Sequence, residues 1–288
     1  MRKAGIVLLL VLVWVGFLVR SGSAGLLPLP GSSAPLPIES LVAWWSFDDP
    51  EDPYRGVGNV GIWEMSVQNS GSLSLVSGPR GQALSFAEGG HAYLVTTQDY
   101  EWPTNSFTIA GWANPSTLNT DSIGWLGFVT FGGDSWNTFN LEFKYGYGHS
   151  RINGWYDQYW TPEAMVKVGE FHFVAVTYDG DSYTLTFYKD GVEVGQTTPT
   201  FLNGTHPTVQ GLTWPFYLGL DLAGSDNYFE GVMDEITVWS TALSQEEIQT
   251  LYAQKGAPVV PLPGAALLLG SGLAGAALFR KRLLPSGS

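Results

Sequence analysis

Aromatic residues and amides are concentrated between Trp125 and Trp160, where they could bind carbohydrate. The residues concerned are Trp125, Trp136, Trp155, Tyr156, Asp157, Gln158, Tyr159 and Trp160. Flat aromatic rings stack on the C–H faces of sugar rings, while neighbouring carboxylate and amide groups bond to hydroxyls. Filling a hydrophobic core is the simpler role for any one of these aromatics. As a cluster beside polar groups, they predict a sugar-binding segment.

Carboxylates arranged for catalysis are harder to find in the sequence. A retaining glycosidase needs two carboxyl groups ~5 Å apart, which alternate positions on one strand can supply. The chain has no Glu-x-Asp sequence, and the adjacent Asp234 and Glu235 should point to opposite faces of a strand. Glu142 and His149 could serve a polysaccharide lyase, but the four histidines lie in no nucleophile motif. We therefore expect a protein that is not an enzyme, with a polysaccharide-active enzyme (lyase or hydrolase) as an alternative.

The N-terminus has the three parts of a secretory signal peptide. Arg2 and Lys3 precede an apolar run from Ala4 to Val19, and small residues precede Gly25. We predict a signal peptide over residues 1–24, followed by a disordered lead-in rich in Pro, Gly, Ser and Leu over residues 25–37.

The C-terminal residues 257–288 predict a membrane-spanning helix over residues 264–279. With the residues from Val259 onward, the uncharged stretch reaches the ~20 residues that a bilayer requires. A basic triplet follows, which favours the cytoplasmic side. The flanking residues are Val260, Pro261, Leu262 and Pro263 before the stretch and Arg280, Lys281 and Arg282 after it.

This order of parts resembles the VPLPA variant of the PEP-CTERM sorting signal, with an ordinary single-span anchor as the alternative. The resemblance implies processing by an exosortase-type membrane protease. It also implies anchoring in the inner membrane before processing, and then delivery to the cell surface, outer membrane or extracellular matrix of a Gram-negative bacterium.

The charge of the chain argues against polyanionic partners. Six of the 13 basic residues, and none of the 26 acidic ones, lie in the two terminal segments, so the exported portion has seven basic residues against 26 acidic. Such a surface repels nucleic acid and anionic lipid. Divalent cations, neutral sugars or other surface proteins suit it better. Because the chain has no cysteine, the domain must be stable without disulfides.

Residues 38–256 predict one all-β domain, because short β-type runs alternate with turn signals. The pairs Asp179-Gly180 and Asp190-Gly191 predict tight hairpins, and hence three consecutive antiparallel strands from Phe171 to Gln196. The first of these is apolar on both faces, as is typical of a strand covered on two sides.

A single helix is predicted near the end of this domain. Ser244 and Glu247 match a capping box. Ile248, Leu251 and Tyr252 then form a narrow apolar stripe that should pack against the sheet.

Several short motifs follow one another in an informative order. They are Trp45-Ser46-Phe47-Asp48, Gly81–Phe86, His91–Val95, Phe107–Pro115, Phe171–Gly180, Phe187–Gly195, Phe229–Ile236 and Ala242–Ile248. Together they resemble the LamG-like jelly-roll domains of the concanavalin A-like lectin/glucanase superfamily. The resemblance implies a two-sheet antiparallel jelly-roll sandwich, although the segment from Leu118 to Lys167 matches no element of that family.

The same resemblance implies a possible metal site and a class of function. Jelly rolls of this kind often hold a structural Ca²⁺ between the first strand and the last, and Asp48 and Asp234 are the matching positions. Turn and strand-edge roles are the alternative. We expect a surface- or matrix-sorted, non-catalytic module that contacts exopolysaccharide through the aromatic segment. A structural or adhesive surface protein that binds another protein is a further alternative.

Overall fold

The computed structural model describes residues 34–118, 126–133, 138–152, 159–200, 204–222 and 227–258, without the side chains of residues 138, 159 and 160. The predicted signal peptide, the sorting-signal residues and the predicted span 264–279 lie outside these residues. None of the helices within the described ranges is long and apolar enough to cross a membrane.

The described chain is built mainly from β-strands. In chain order they are β1 (Leu41–Trp45), β2 (Gly56–Gly58), β3 (Gly61–Trp63), β4 (Met65–Gln68), β5 (Leu73–Ser77), β6 (Gln82–Phe86), β7 (Tyr93–Thr96), β8 (Tyr100–Glu101), β9 (Phe107–Pro115), β10 (Leu126–Gly132), β11 (Thr138–Lys144), β12 (Tyr147–Ser150), β13 (Tyr159–Ala164), β14 (His172–Asp179), β15 (Thr184–Lys189), β16 (Val192–Thr197), β17 (Thr213–Trp214), β18 (Phe216–Leu218) and β19 (Gly231–Trp239). One α-helix, α1 (Gln245–Ala253), follows the last strand, and short 3-10 turns lie at Ile38–Ser40 and Ser70–Ser72.

Two antiparallel sheets form the sandwich. The ten-stranded sheet has the order β16-β15-β14-β9-β19-β1-β2-β3, with β6 also pairing with β19 and β5 pairing with β6. The seven-stranded sheet has the order β13-β12-β11-β10-β18-β7-β4, and β17 pairs with β8 in a small separate sheet. The predicted all-β, two-sheet sandwich with one short helix is confirmed.

Hydrophobic side chains fill two layers. The main core lies between the sheets and includes Val174 and Val176 of β14. Phe173 and Ala175 of the same strand face the other way, into a second cluster that contains Ile248 of α1. The prediction that this strand is covered on both faces is therefore confirmed.

The N-terminus of α1 is as predicted, but one residue of the predicted apolar stripe is not buried. The Glu247 amide donates to Ser244 Oγ at 3.3 Å, and the Ser244 amide donates to Glu247 Oε2 at 2.7 Å, which completes the capping box. Ile248 and Leu251 are buried, whereas Tyr252 is 36% exposed and lays its ring against Trp112. Tyr252 is therefore at the edge of the stripe.

Only one of the two Asp-Gly pairs forms the predicted tight turn. Asp190 and Gly191 have φ of 50° and 79°, the left-handed conformation that a two-residue hairpin requires. The other loop is longer, because β14 ends at Asp179 and β15 begins at Thr184, and its positive φ falls on Tyr183. Asp179 instead accepts a hydrogen bond from Ser182 Oγ at 2.6 Å, which shapes that loop.

Candidate functional site

The face of the seven-stranded sheet that points away from the core carries a buried polar cluster. Along β11, Phe139, Leu141 and Phe143 belong to the core. The alternate residues Asn140 and Glu142 therefore lie on the opposite face, and both are fully buried. We call this the outer face of the seven-stranded sheet.

Arg151 connects two carboxyl groups of this cluster. Its Nη2 atom lies 2.9 and 3.0 Å from the two carboxylate oxygens of Glu142 and 2.8 Å from Asp221 Oδ2. His149 Nδ1 is 2.5 Å from Glu142 Oε1. Asn140 Nδ2 donates to Asp221 Oδ1 at 3.3 Å, and Asn227 Nδ2 donates to Asp221 Oδ2 at 2.8 Å.

Burial sets the protonation states of the cluster. It raises the pKa of Asp221 to about 7, and the negative charge of Glu142 adds to the effect. It lowers the pKa of His149 to about 3, and the positive charge of Arg151 acts in the same direction. At neutral pH His149 is therefore uncharged and donates its Nδ1–H to Glu142. Asp221 is then close to the midpoint of its titration, so both its protonated and its ionised forms are present. Perturbed groups of this kind are concentrated at sites of acid–base chemistry.

A glycine in β10 allows Asp221 to reach the cluster. Gly127 lies opposite Glu142 in the sheet, next to a bulge between Gly127 and Val129. A Cβ atom on Gly127 would lie 2.1 Å from the backbone nitrogen of Asp221 and 2.3 Å from the carbonyl carbon of Leu220. The missing side chain is what lets this backbone cross the outer face so close to β10.

Most residues of the predicted sugar-binding segment lie outside the described residues. These are Trp125, Trp136, Trp155, Tyr156, Asp157 and Gln158. The backbones of Tyr159 and Trp160 begin β13, where they pair with Ser150 and His149 of β12. Sugar binding by this segment stays a prediction.

The two predicted metal ligands lie on either side of the turn that precedes β6. Asp48 Oδ1 accepts from the Gln82 amide at 2.7 Å, and Asp234 Oδ2 accepts from the Arg80 amide at 3.1 Å. A Cβ on Gly81 would lie 2.1 Å from Asp48 Oδ1, and a Cβ on Gly78 would lie 2.4 Å from Asp234 Oδ2. These two glycines make room for the two carboxylates.

The expectation that Asp234 and Glu235 point to opposite faces is wrong. The register of β19 against β9 shifts between Asp234 and Thr237, and Glu235 has a left-handed φ of 50°. Such a bulge interrupts the alternation of side chains. Glu235 Oε1 accepts from Arg80 Nη1 at 3.0 Å, so both acids contact the same arginine.

Sequence reasoning found Glu142 and His149 but missed Asn140, Arg151 and Asp221. The pattern of β11, in which polar residues alternate with aromatic and aliphatic ones, was the available signal for Asn140. Asp221 joins the cluster from 70 positions beyond Arg151, and nothing local in the sequence marks it.

Comparisons with known proteins identify the family of this fold. A family model described as the concanavalin A-like lectin/glucanases superfamily matches residues 88–249, more than half of the chain. No curated protein matches the sequence.

Three of the similar solved structures show the range of proteins that share this fold. Domain 4 of AbnA, a GH43 extracellular arabinanase from Geobacillus stearothermophilus in complex with arabinotriose, has a TM-score of 0.56 and 21% identity, with 74% of this chain and 98% of that chain covered. Trypanosoma rangeli sialidase in complex with sialic acid has a TM-score of 0.54 and 16% identity, with 79% of this chain and 35% of that one covered. The binding domain of paraclostridial mosquitocidal protein 1 has a TM-score of 0.51 and 14% identity, with 75% of this chain and 52% of that chain covered.

At these identities the similarity shows the fold alone. The prediction of a non-catalytic binding module does not stand as the leading interpretation, because the fold also occurs in domain 4 of an arabinanase and in part of a sialidase, both carbohydrate-active enzymes.

Replacing Gly127 with alanine should disturb the cluster. The added Cβ would overlap the Asp221 backbone, and overpacking of this kind costs about 1–3 kcal/mol in the free energy of unfolding. Gly71→Ala is the matched control, because a Cβ there meets no atom within 4 Å and surface changes stay within about 0.5 kcal/mol. Urea unfolding of both variants measures the difference, and equal stabilities would contradict the close approach of Asp221.

Proposed function

We propose that this chain, which belongs to the concanavalin A-like lectin/glucanases superfamily, hydrolyses a polysaccharide at the carboxyl pair of Glu142 and Asp221. The observation that carries the proposal is the contact of both carboxyl groups with one atom, Arg151 Nη2, on the outer face of the sheet. The arabinotriose complex of the similar arabinanase domain supports a carbohydrate ligand.

The separation of the two carboxyl groups suits one mechanism. Inverting glycosidases hold their carboxyl groups ~6.5–9.5 Å apart to leave room for a water, whereas retaining enzymes hold them ~5 Å apart. Here oxygens of Glu142 and Asp221 lie 2.9 and 2.8 Å from the same nitrogen atom, so these two oxygens are closer together than the inverting arrangement requires of the carboxyl groups. The proposed hydrolysis therefore retains the anomeric configuration.

The environment assigns a different role to each acid. Asp221, with a pKa of about 7, carries the proton that passes to the glycosidic oxygen as the bond from that oxygen to C1 breaks. Glu142 forms the new bond to C1, giving a glycosyl ester. Asp221 then takes a proton from the water that cleaves this ester, which restores both groups. Arg151 and His149 orient Glu142, and Arg151 balances its charge.

The charge balance favours a hydrolase over a lyase. A lyase that acts on a uronic acid polysaccharide has to neutralise the substrate carboxylate before it removes the neighbouring proton. Arg151 already pairs with two carboxyl groups, and His149 is uncharged at neutral pH. Arg151, with 14% of its side chain exposed against 0% for Glu142 and Asp221, is the most exposed member of this ion-pair network, so we place the approach of the substrate there.

Removing either carboxyl group should abolish hydrolysis. Glu142→Gln and Asp221→Asn keep the shape of the side chains but lose the nucleophile or the acid, so we expect about a 100-fold or greater fall in the release of reducing ends from arabinan or another polysaccharide. Wild-type activity should fall as pH rises through about 7, because Asp221 must hold its proton.

The matched control for this experiment is Glu170→Gln, because Glu170 is exposed and its ion-pair partners, Lys167 and His172, do not belong to the cluster. It should leave the rate unchanged. Thermal melting of each variant confirms that the fold is intact. If the wild type released no reducing ends from a broad polysaccharide panel, or if Glu142→Gln retained full activity, hydrolysis at this pair would be refuted.

We also propose that Asp48 and Asp234 hold a calcium ion. Asp234 Oδ1 is buried and has no hydrogen-bond partner among the described residues, and the two carboxylates lie where Gly78 and Gly81 leave space. Within the described ranges no three His, Cys, Asp or Glu side chains are grouped to hold a metal. The remaining ligands would therefore be backbone carbonyls and water, which calcium accepts.

Calcium should raise the melting temperature, because an ion that binds only the native state stabilises it. The gain is about 2.7 kcal/mol when the free ion concentration is 100 times its Kd. Asp234→Asn should remove the difference between calcium and chelator, while the exposed Asp181→Asn should keep it. In chelator the wild type should also lose stability as pH rises through about 8, because burial raises the pKa of Asp234 and the folded state resists its ionisation. An unchanged wild-type melting temperature on chelation would exclude the ion.

Export and sorting are proposals that rest on the sequence of the two termini. Mass spectrometry of the mature protein from its own cells tests both. We expect an N-terminus at Gly25 and a C-terminus near Pro263, as cleavage by a signal peptidase and an exosortase-type protease predicts. A full-length chain in the cytoplasm would contradict both proposals.

A further inference from the structure

A row of aromatic side chains lies on the outer face of the seven-stranded sheet. Leu94 of β7 and both Phe216 and Leu218 of β18 point into the core. The alternate residues, Tyr93 and Tyr217, therefore lie on the outer face, where both are half-buried.

The rings form a continuous series of contacts. The ring centroids of Tyr217 and Tyr93 are 6.2 Å apart, and those of Tyr93 and Tyr228 are 6.1 Å apart. Tyr228 stacks on the exposed His91, with 4.8 Å between centroids and 6° between planes. We call these four residues, His91, Tyr93, Tyr217 and Tyr228, the aromatic row.

The backbone holds the row in place before any ligand arrives. The His91 carbonyl accepts from Asn69 Nδ2 at 2.8 Å, and Tyr228 forms a β-bridge with Leu220. Tyr93 and Tyr217 are both in strands. A platform that is already ordered loses little conformational entropy when it binds, which favours affinity.

Two structural connections join the aromatic row to the carboxyl pair. Tyr228 directly follows Asn227, whose side chain donates to Asp221 Oδ2. Tyr217 pairs in the sheet with Thr130, which in turn pairs with Asn140, another partner of Asp221. The row and the carboxyl pair are therefore neighbours on the outer face of one sheet, and a ligand lying on the rings can extend toward the proposed site of hydrolysis.

The chemistry of the row selects its ligand. Tyrosine faces suit the C–H faces of sugar rings, and their hydroxyls can bond to sugar hydroxyls. Burial raises the pKa of Tyr217, and the negative charge of Asp99 acts in the same direction, so a carboxylate lies near this part of the row. The negative charge of Asp99 repels uronic or sialic acid units.

We propose that the aromatic row is a binding subsite for an uncharged polysaccharide chain, which it delivers to the carboxyl pair. The delivery of the chain to the carboxyl pair rests on the proposed function. Binding of the polysaccharide to the aromatic row does not depend on its hydrolysis.

Affinity electrophoresis of the full chain through gels containing neutral or anionic polysaccharides tests the subsite. The neutral panel is arabinan, xylan, mixed-linkage glucan and galactomannan, and the anionic panel is alginate and polygalacturonate. At least one neutral polymer should retard the wild type, and neither anionic polymer should. Tyr93→Leu combined with Tyr228→Leu should weaken the retardation at least tenfold in Kd, while Tyr228→Phe, which keeps the ring, should leave it nearly unchanged.

A second histidine–tyrosine stack supplies the matched control. The rings of Tyr183 and His206 are 4.0 Å apart and 8° from parallel, but Tyr183 lies in the loop between β14 and β15, outside the row. Tyr183→Leu should bind as the wild type does, and melting curves confirm that each variant is folded.

The outcomes separate the subsite from the proposed hydrolysis. Retardation that depends on the row, without release of reducing ends, would support the subsite and overturn the hydrolase. If the double variant Tyr93→Leu, Tyr228→Leu hydrolysed a polysaccharide with an unchanged KM, the hydrolase would be supported and the subsite overturned. Preference for an anionic polymer, or the lack of retardation by every neutral one, would overturn the subsite.

Discussion

The polar side of this sandwich depends on one buried ion pair network, in which Arg151 contacts the carboxyl groups of Glu142 and Asp221. Buried charges are tolerated only when they are paired and hydrogen-bonded, and removing one partner of such a pair costs about 3–5 kcal/mol. Each member therefore constrains the others. Asn140, Asn227 and His149 complete the hydrogen bonds that the carboxyl groups need. The network ties β11 and β12 to the segment that follows β18, and with it the position of Tyr228.

The same burial that makes the network costly gives it its chemistry. Arg151 brings two acids together, while the low polarity of the site and the charge of Glu142 keep a proton on Asp221 up to about pH 7. One acid is therefore a proton donor and the other an ion-paired carboxylate, which are the two roles that glycoside hydrolysis requires. Gly127 allows this geometry, because any side chain there would push Asp221 away from β10.

Local features of the sequence predicted local structure well. The capping box of Ser244 and Glu247 and the Asp190-Gly191 turn each depend on neighbours within a few residues, so the sequence carried enough information for both. Predictions failed where distant segments decide the outcome. The bulge at Glu235 arises from its pairing with β9 and could not be inferred from alternation along one strand. Asp221 and Arg151 meet only because β18 and β11 both lie beside β10, which the sequence alone did not show.

A carboxyl ¹³C NMR titration of Asp221 tests the central claim most directly, because it measures the effect of burial and of Glu142 on the proton itself. The account predicts a midpoint near pH 7 in the wild type, and a lower midpoint in Glu142→Gln, where the neighbouring negative charge is gone. A wild-type midpoint at the ordinary aspartate value of about 4 would contradict the account, since Asp221 could then be neither buried nor coupled to Glu142 as described.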